Sequence, residues 1–485
     1  MAARPTFRIG AIGTCVLLAL TVPAVTTAAA EPGETTTTAT TQADPNRAGA
    51  KPPPVEMKYL PKDRGQPDET YTLGSTSCVG SLDDGNIVLH DKAWGQQWLR
   101  VEEAQKFTRG KGVTVAVIDT GVHPHPYLGD RLIGGGDYVV QKDNGLEDCD
   151  GHGTEVAGLI AGDPHDQRIG FIGVAPEARI ISIRQSSGLY KGPDKNSGQS
   201  GNDTRKAGTL DTLAQAVRRA TDRHVGVINM SVDSCRQANR GVISDNEREL
   251  QAALHYAVEH DVVVVASAGN LNEAACPDQN NGPDPSKPDT IVLPPWFADD
   301  VISVAAMDEN GDPATFSVHG PWVTLAAPGT KITSLNPTGT GLANQTSFDK
   351  AKRQDIDGTS FAAPYVAGVA ALVRARYPKL KARQVMNRLI HTAQHPAAPG
   401  GRDDVVGYGM VDPVAALTTY IPEEDGIAPA KARDPGPQLP LAQRRDWAPM
   451  QVALAGTGGG IGLLLITLFA VHTVRRNRRP VATAR

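Results

Sequence analysis

The chain is short of cysteine, of aromatic residues and of any excess of one charge. Five cysteines are spread over 485 residues, aromatics make up 5%, and the formal net charge is −5. No CxxC pair and no His/Cys spacing marks a zinc site. A charge balance this even offers no electrostatic footprint for nucleic acid, and none is expected as a partner. A second Asp-Thr-Gly is also missing. The stretch "VAVIDTGVHPHP" holds one, with Asp119 closing an apolar run. Aspartic proteases need two such carboxylates sharing a proton. The nearest match, "IDGTS", has the wrong order, and dimeric proteins that borrow the second copy are far smaller than this chain. The dyad reading fails. Asp119 is then either a strand-end turn residue or the acid of a Ser-His-Asp triad.

What is present begins with length and glycine. A chain of this size accommodates one large domain plus extensions, and 50 glycines suit a loop-rich α/β protein. The opening "MAARPTFRIGAIGTCVLLALTVPAVTTAAAEP" has Arg4 and Arg8, an apolar run from Ile9 to Val25, and a small-x-small close at Ala28 and Ala30. That is the pattern of a secretory signal peptide over residues 1–30. Near the other end, residues 450–474 contain no Asp, Glu, Lys or Arg. As a helix this stretch reaches about 37 Å, enough to cross a hydrocarbon core of about 30 Å. The basic "RRNRR" that follows stays cytoplasmic by the positive-inside rule. The expectation is a single-pass protein of the cell membrane, with an extracytoplasmic main domain and a cytoplasmic tail over 475–485. Gly456, Gly458, Gly459, Gly460 and Gly462 give small-xxx-small spacing, either a seat for a partner helix or simply a glycine-rich span. Cys15 leaves with the signal peptide. Cys78, Cys149, Cys235 and Cys276 remain, enough for two disulfides with three possible pairings.

Residues 31–91 read as an extension, its first part an extended arm too rich in Thr, Ala and Pro to form a core. From residue 92 to 420 the pattern is that of a folded domain. "KAWGQQWLRVEEAQKF" suggests one short helix. The runs "VTVAVID", "ARIISIRQ", "VGVINMSV", "VVVVASAG", "VISVAAM" and "VTLAAPG" read as strands. Between them Leu210, Leu213, Ala214 and Val217, then Leu250, Ala253, Leu254 and Ala257, recur at helical spacing. Apolar strands alternating with helices predict an α/β fold with a doubly wound, mainly parallel sheet, whose ligand chemistry gathers at the strands' carboxyl ends. Polar stretches near 186–208, 271–296 and 334–355 read as inserted loops, the first two placed to shape a cleft. Residues 421–449 are a Pro- and charge-rich linker to the membrane.

The triad reading asks for a histidine and a serine in suitable settings. "CDGHGTEVAGLIAG" sets His152 between glycines at the start of a helical run, where both ring nitrogens can be used. "DGTSFAAPYVAGVAALVRARYP" puts Ser360 in the first turn of a long apolar helix, whose free N–H groups favour developing negative charge. Taken alone, Thr359 or Ser360 is an ordinary N-cap. Pro364 argues otherwise, because its missing N–H leaves the Ser360 carbonyl without its helical partner. In "VVVVASAGN", Asn270 follows a buried strand and offers an amide donor for an oxyanion, a role that contributes about 3–4 kcal/mol in serine proteases.

The order Asp119, His152, Asn270, Ser360, carried by VIDTGV, GHGTEVAG, INMSV, SAGN and GTSFAAPYVAG, resembles the subtilisin-like serine proteases over about residues 92–418. The resemblance implies a triad in which Asp119 orients His152, His152 takes the proton of Ser360, and Asn270 holds the oxyanion. The whole layout of arm, "CDGHGT", "INMSVDSC", "ASAGNLNEAACPD", linker, span and basic tail is similar to the mycosins, the anchored subtilases of type VII secretion. That likeness pairs Cys78 with Cys149 and Cys235 with Cys276. It implies protein or peptide substrates, a membrane setting and the type VII secretion membrane complex as partner. It also implies an arm that stays attached and wraps the domain, since this one is too polar to be a folded inhibitor. Glu155 stands where many subtilases have His, and Val232-Asp233 where they have Leu-Gly. The second departure lies on the edge expected to pair with substrate. No cofactor is called for. Calcium is common in the family, but no compact set of oxygen ligands stands out. Two functions follow: an endopeptidase acting on secreted proteins, or a subunit that stabilises the secretion complex without needing proteolysis.

Overall fold

Six of the apolar runs and one stretch without a strand signal form a single sheet. Its strands are β1 (Thr114–Asp119), β2 (Leu132–Asp137), β3 (Arg179–Arg184), β4 (Val227–Met230), β5 (Val263–Ser267), β6 (Ile302–Met307) and β7 (Val323–Pro328). They lie in the order β7-β6-β5-β4-β1-β3-β2, every neighbouring pair parallel. The computed structural model describes residues 46–74, 77–79, 90–193, 204–272, 276–349, 352–427 and 447–477. The signal-peptide segment, linker residues 428–446 and tail residues 478–485 lie outside the described residues.

The sheet is parallel because helices cover both faces. Every residue of β5, β6 and β7 is buried, which is why these runs are mostly apolar rather than alternating, with one small hydroxyl residue in each. Helices α1 (His152–Ala161), α2 (Leu210–Asp222), α3 (Asp245–Glu259) and α4 (Thr359–Arg376) supply most of the cover. Thr209 with Thr212, and Ser244 with Glu247, form reciprocal capping boxes that start α2 and α3. Helix α4 is buried without a break from Phe361 to Val373, the signature of a core helix apolar all round. Such a helix cannot turn, and it holds its first turn, with Ser360, in a fixed place.

Three sequence expectations need correction. Strand β2, "LIGGGD", was not foreseen, because three glycines erase the β-branched signal. The structure needs them: a Cβ on Gly135 would sit 2.4 Å from Ile181 and one on Gly134 2.8 Å from the Asn144 carbonyl. The single short helix near residue 98 is two, Trp94–Trp98 and Val101–Ala104, broken where Arg100 takes φ +52°. The three inserted loops are also not structureless. Ser187–Pro193 pairs with Thr204–Ala207, Thr290–Leu293 with Ser234–Gln237, and Gln345–Asp349 with Lys352–Asp355, all antiparallel. The second of these ribbons takes its partner from far along the chain, which no local pattern reveals.

The arm is fastened by polar contacts, in keeping with its composition. Ala48 N–H donates to the Ala238 carbonyl at 2.9 Å, and the Trp296 indole donates to the Gly49 carbonyl at 2.9 Å. Asp63 accepts from Arg219 at 2.8 Å and from the Tyr138 hydroxyl at 2.7 Å. Thr72–Leu73 adds a strand to Ser187–Pro193, and Cys78 then joins Cys149. A second disulfide joins Cys235 to Cys276. At the far end, the helix Ala448–Asn477 contains a stretch long and apolar enough to cross a membrane.

Cys235 and Cys276 are 41 residues apart, and the bond between them constrains the unfolded chain. The double variant C235S/C276S is expected to lose about 2–4 kcal/mol of unfolding free energy. Urea denaturation under non-reducing conditions measures this, and an unchanged midpoint would contradict it.

Candidate active site

Strand β1 ends at Asp119, where the chain order switches: β4 lies on one side of β1 and β3 on the other. Open α/β sheets form their crevice at such a point. Asp119 is fully buried, and its Oδ1 accepts from the Thr120 N–H at 2.7 Å and meets His152 Nδ1 at 2.7 Å. A carboxylate there fixes the proton on Nδ1 and leaves Nε2 as the working nitrogen. His152 opens α1, and its ring keeps about a quarter of its surface exposed. The flanking glycines are demanded by the close approach of α1 to β1. Gly151 has φ +83°, and a Cβ on Gly153 would stand 2.0 Å from the Gly121 carbonyl oxygen.

One residue that the sequence did not single out holds these two segments together. Asp148 is buried and accepts four hydrogen bonds: from the Thr120 hydroxyl at 2.8 Å, the Gly151 N–H at 2.8 Å, the Thr154 N–H at 2.8 Å and the Thr154 hydroxyl at 2.6 Å. Thr120 Oγ1 in turn accepts from the Gly153 N–H at 3.0 Å. The residue after Asp119 and both neighbours of His152 thus share one anchor. The only trace in the sequence is an acid four residues before the histidine, inside the crowded "LEDCDGHGT".

Ser360 is the second residue of α4. Its carbonyl, which Pro364 deprives of a helical donor, accepts instead from the Ser231 hydroxyl at 2.6 Å. Ser231 is itself held by the buried Asn229 amide at 3.0 Å. The proline therefore turns a helical bond into a tie between α4 and the end of β4. Asn270 stands on the next strand end, after β5. Its Oδ1 accepts from the Thr359 N–H at 2.9 Å and the Thr359 hydroxyl at 3.2 Å, which fixes the amide and leaves Nδ2, the donor, for the cleft. The Phe361 ring lies 5.0 Å from the His152 ring. The structure thus bonds Asp119 to His152, bonds Asn270 to the residue before Ser360, and packs the residue after Ser360 against the histidine ring, with no His152–Ser360 hydrogen bond. Such bonds are often long before substrate binds.

The site is electrostatically tense. Burial opposes charge on His152, but the Asp119 carboxylate beside it prevails and holds the imidazole up at about 9. Burial pushes Glu155, one turn along α1, up to about 8. Burial also pushes Asp148 up to about 6 despite its hydrogen bonds. Among the described residues no group of three or more His, Cys, Asp or Glu side chains is placed to hold a metal.

The chain is similar to known proteins over most of its length. The model of the Subtilase family matches residues 110–409. Mycosin-1 of Mycobacterium tuberculosis is 41% identical over 426 residues, covering 85% of this chain and 92% of that protein. The solved structure of a serine protease MycP1, described as an essential component of the type VII (ESX-1) secretion system, is 39% identical with a TM-score of 0.69, covering 76% of this chain and 100% of that one. A chain in the intact ESX-5 inner membrane complex is 38% identical with a TM-score of 0.70, covering 87% of this chain and 100% of that one.

Asp148, Glu155 and His152 all bind their protons more tightly folded than unfolded, so each makes stability fall as pH rises. For His152 the contribution is complete below about 6.5, its unfolded value, and is lost as pH climbs through about 9. The melting temperature is expected to fall between pH 5 and pH 9, and Glu155→Gln is expected to flatten that slope. A rising profile, or an unchanged slope in the variant, would contradict these assignments.

Proposed function

The chain belongs to the subtilase family and, within it, to the mycosins; it is a serine endopeptidase, and we propose that Ser360, His152, Asp119 and Asn270 carry its chemistry at a membrane-anchored secretion machine. The observation that carries the proposal is the 2.7 Å Asp119–His152 bond, together with the Phe361 ring 5.0 Å from His152, which brings the head of the buried helix that carries Ser360 to the histidine. His152 Nε2 takes the proton from Ser360 Oγ as that oxygen attacks the scissile carbonyl. The oxyanion so formed is held by Asn270 Nδ2 and the N–H groups at the start of α4. The protonated imidazole, balanced by Asp119, then passes its proton to the leaving amine, and water repeats the sequence to release the acyl group. No cofactor enters these steps.

The substrates are polypeptides met outside the cytoplasm. The apolar helix at Ala448–Asn477 anchors the chain, with Arg475 and Arg476 at its end marking the cytoplasmic side. Likeness to a chain of the ESX-5 inner membrane complex over 87% of this protein supports a type VII secretion complex as the assembly it joins. The same likeness favours a second role, stabilising that assembly. Ser360→Ala separates the two, since it removes the nucleophile and leaves the surface intact.

Ser360→Ala is expected to abolish peptide cleavage and labelling by a fluorophosphonate. Asn270→Ala is expected to retain labelling and lose about 10²–10³ in kcat. Labelling of wild-type protein that does not depend on Ser360 would refute the assignment. Because the base must be neutral and His152 sits at about 9, kcat/KM is expected to climb from pH 7, reach half its maximum near pH 9 and level off only above it. A plateau already reached at pH 7 would contradict it.

A further inference from the structure

We propose that Asp233 makes the cleft selective for lysine or arginine at the residue that supplies the scissile carbonyl. The proposal rests on the roles given above to Ser360 and Asn270. Asp233 follows β4 by three residues and lies two beyond Ser231, which is bonded to the Ser360 carbonyl. Its Oδ2 accepts the backbone N–H of Asn270 at 3.2 Å. Gly269 makes room for it, since a Cβ there would stand 3.2 Å from the same oxygen. The carboxylate therefore spans the gap between two walls of the cleft, the segment after β4 and the end of the strand that carries the oxyanion donor. The side chain nearest that donor belongs to the residue whose carbonyl oxygen Asn270 would hold.

The one charge that favours ionised Asp233 is the His152 imidazolium, which the triad already employs. Among the described residues no Lys or Arg pairs with Asp233, and the Asn270 N–H is its hydrogen-bond donor from another segment. Desolvation by its surroundings raises its carboxyl above the usual range against the opposing Asn270 N–H and His152 charge, while the residue itself stays exposed to an incoming side chain. A negative charge here works against the reaction, because the oxyanion develops on the scissile carbonyl oxygen beside the neighbouring Asn270 amide. A substrate ammonium or guanidinium removes that opposition and replaces it with attraction. Such a group is fully effective only if the acid cannot swing away. The Cys235–Cys276 disulfide and the Thr290–Leu293 strand paired to Ser234–Gln237 clamp the segment just beyond Asp233 against the loop that follows Asn270. Asp233 is thus preorganised to meet a cation.

The test uses the full chain in detergent and quenched peptides that differ only at the residue before the cut: Lys, Arg, norleucine or Glu. Fluorophosphonate titration counts active sites in every sample. Wild type is expected to favour Lys and Arg over norleucine by roughly 10-fold in kcat/KM at low ionic strength, with the gap narrowing as salt rises. In Asp233→Asn the gap is expected to close, with cleavage of the norleucine peptide rising. Asp233→Glu, which keeps the charge, is expected to keep the preference. Equal or better cleavage of norleucine or Glu by wild type would overturn the proposal, as would a lysine preference that survives in Asp233→Asn. Absence of labelling in wild type would instead overturn the protease reading on which it rests.

Discussion

Asp148 ties the end of β1 to the start of α1, and the catalytic geometry depends on that tie. Its two oxygens hold Thr120, Gly151 and Thr154, so a shift of either segment would break several hydrogen bonds at once. The distance between Asp119 and His152 is short because this buried carboxylate sets the positions of both main chains. Each of its oxygens takes two of these bonds, which suits an anion acceptor, while burial raises the energy of its charged form. The site keeps a costly buried charge where fixed geometry is required.

Helix α4 makes a similar exchange. Pro364 costs one helical hydrogen bond, and the freed carbonyl of Ser360 is taken up by Ser231. No bonding is lost, but its direction changes from along the helix to across the cleft. The nucleophile's own residue is thereby tied to the segment after β4, where Asp233 also stands. Thr359, next to it, is tied to Asn270. Nucleophile, oxyanion donor and the acid at the cleft mouth move as one body.

The arm and the disulfides extend this rigidity outward. Cys149 follows Asp148 directly, so the bond to Cys78 brings the end of the arm against the anchor of the site. Cys235 follows Asp233 by two residues and is joined to the loop after Asn270. Each crosslink sits beside a residue whose position matters to the chemistry. The arm itself holds on through carboxylates and carbonyls together with a few buried apolar side chains such as Ala48 and Tyr71, so a segment with little hydrophobic content can still cover the domain.

Much of this was legible in one dimension. The apolar runs of β1 and β3–β7 and the helical spacing of α2 and α3 are local patterns set by which faces are buried, so they identify their elements without knowledge of partners. Asp119, His152, Asn270 and Ser360 were visible because glycines, a strand end or a misplaced proline marked each one. Strand β2, the Asp148 anchor, the bond from Ser231 to Ser360 and the placement of Asp233 over Gly269 were not. They arise between residues far apart in the chain, 129 positions in the case of Ser231 and Ser360. The sequence determined which chemical groups exist and that they fall at the ends of buried elements, because burial patterning is a short-range property. Tertiary packing decided which of them touch, since a hydrogen bond forms only when folding brings donor and acceptor to about 3 Å.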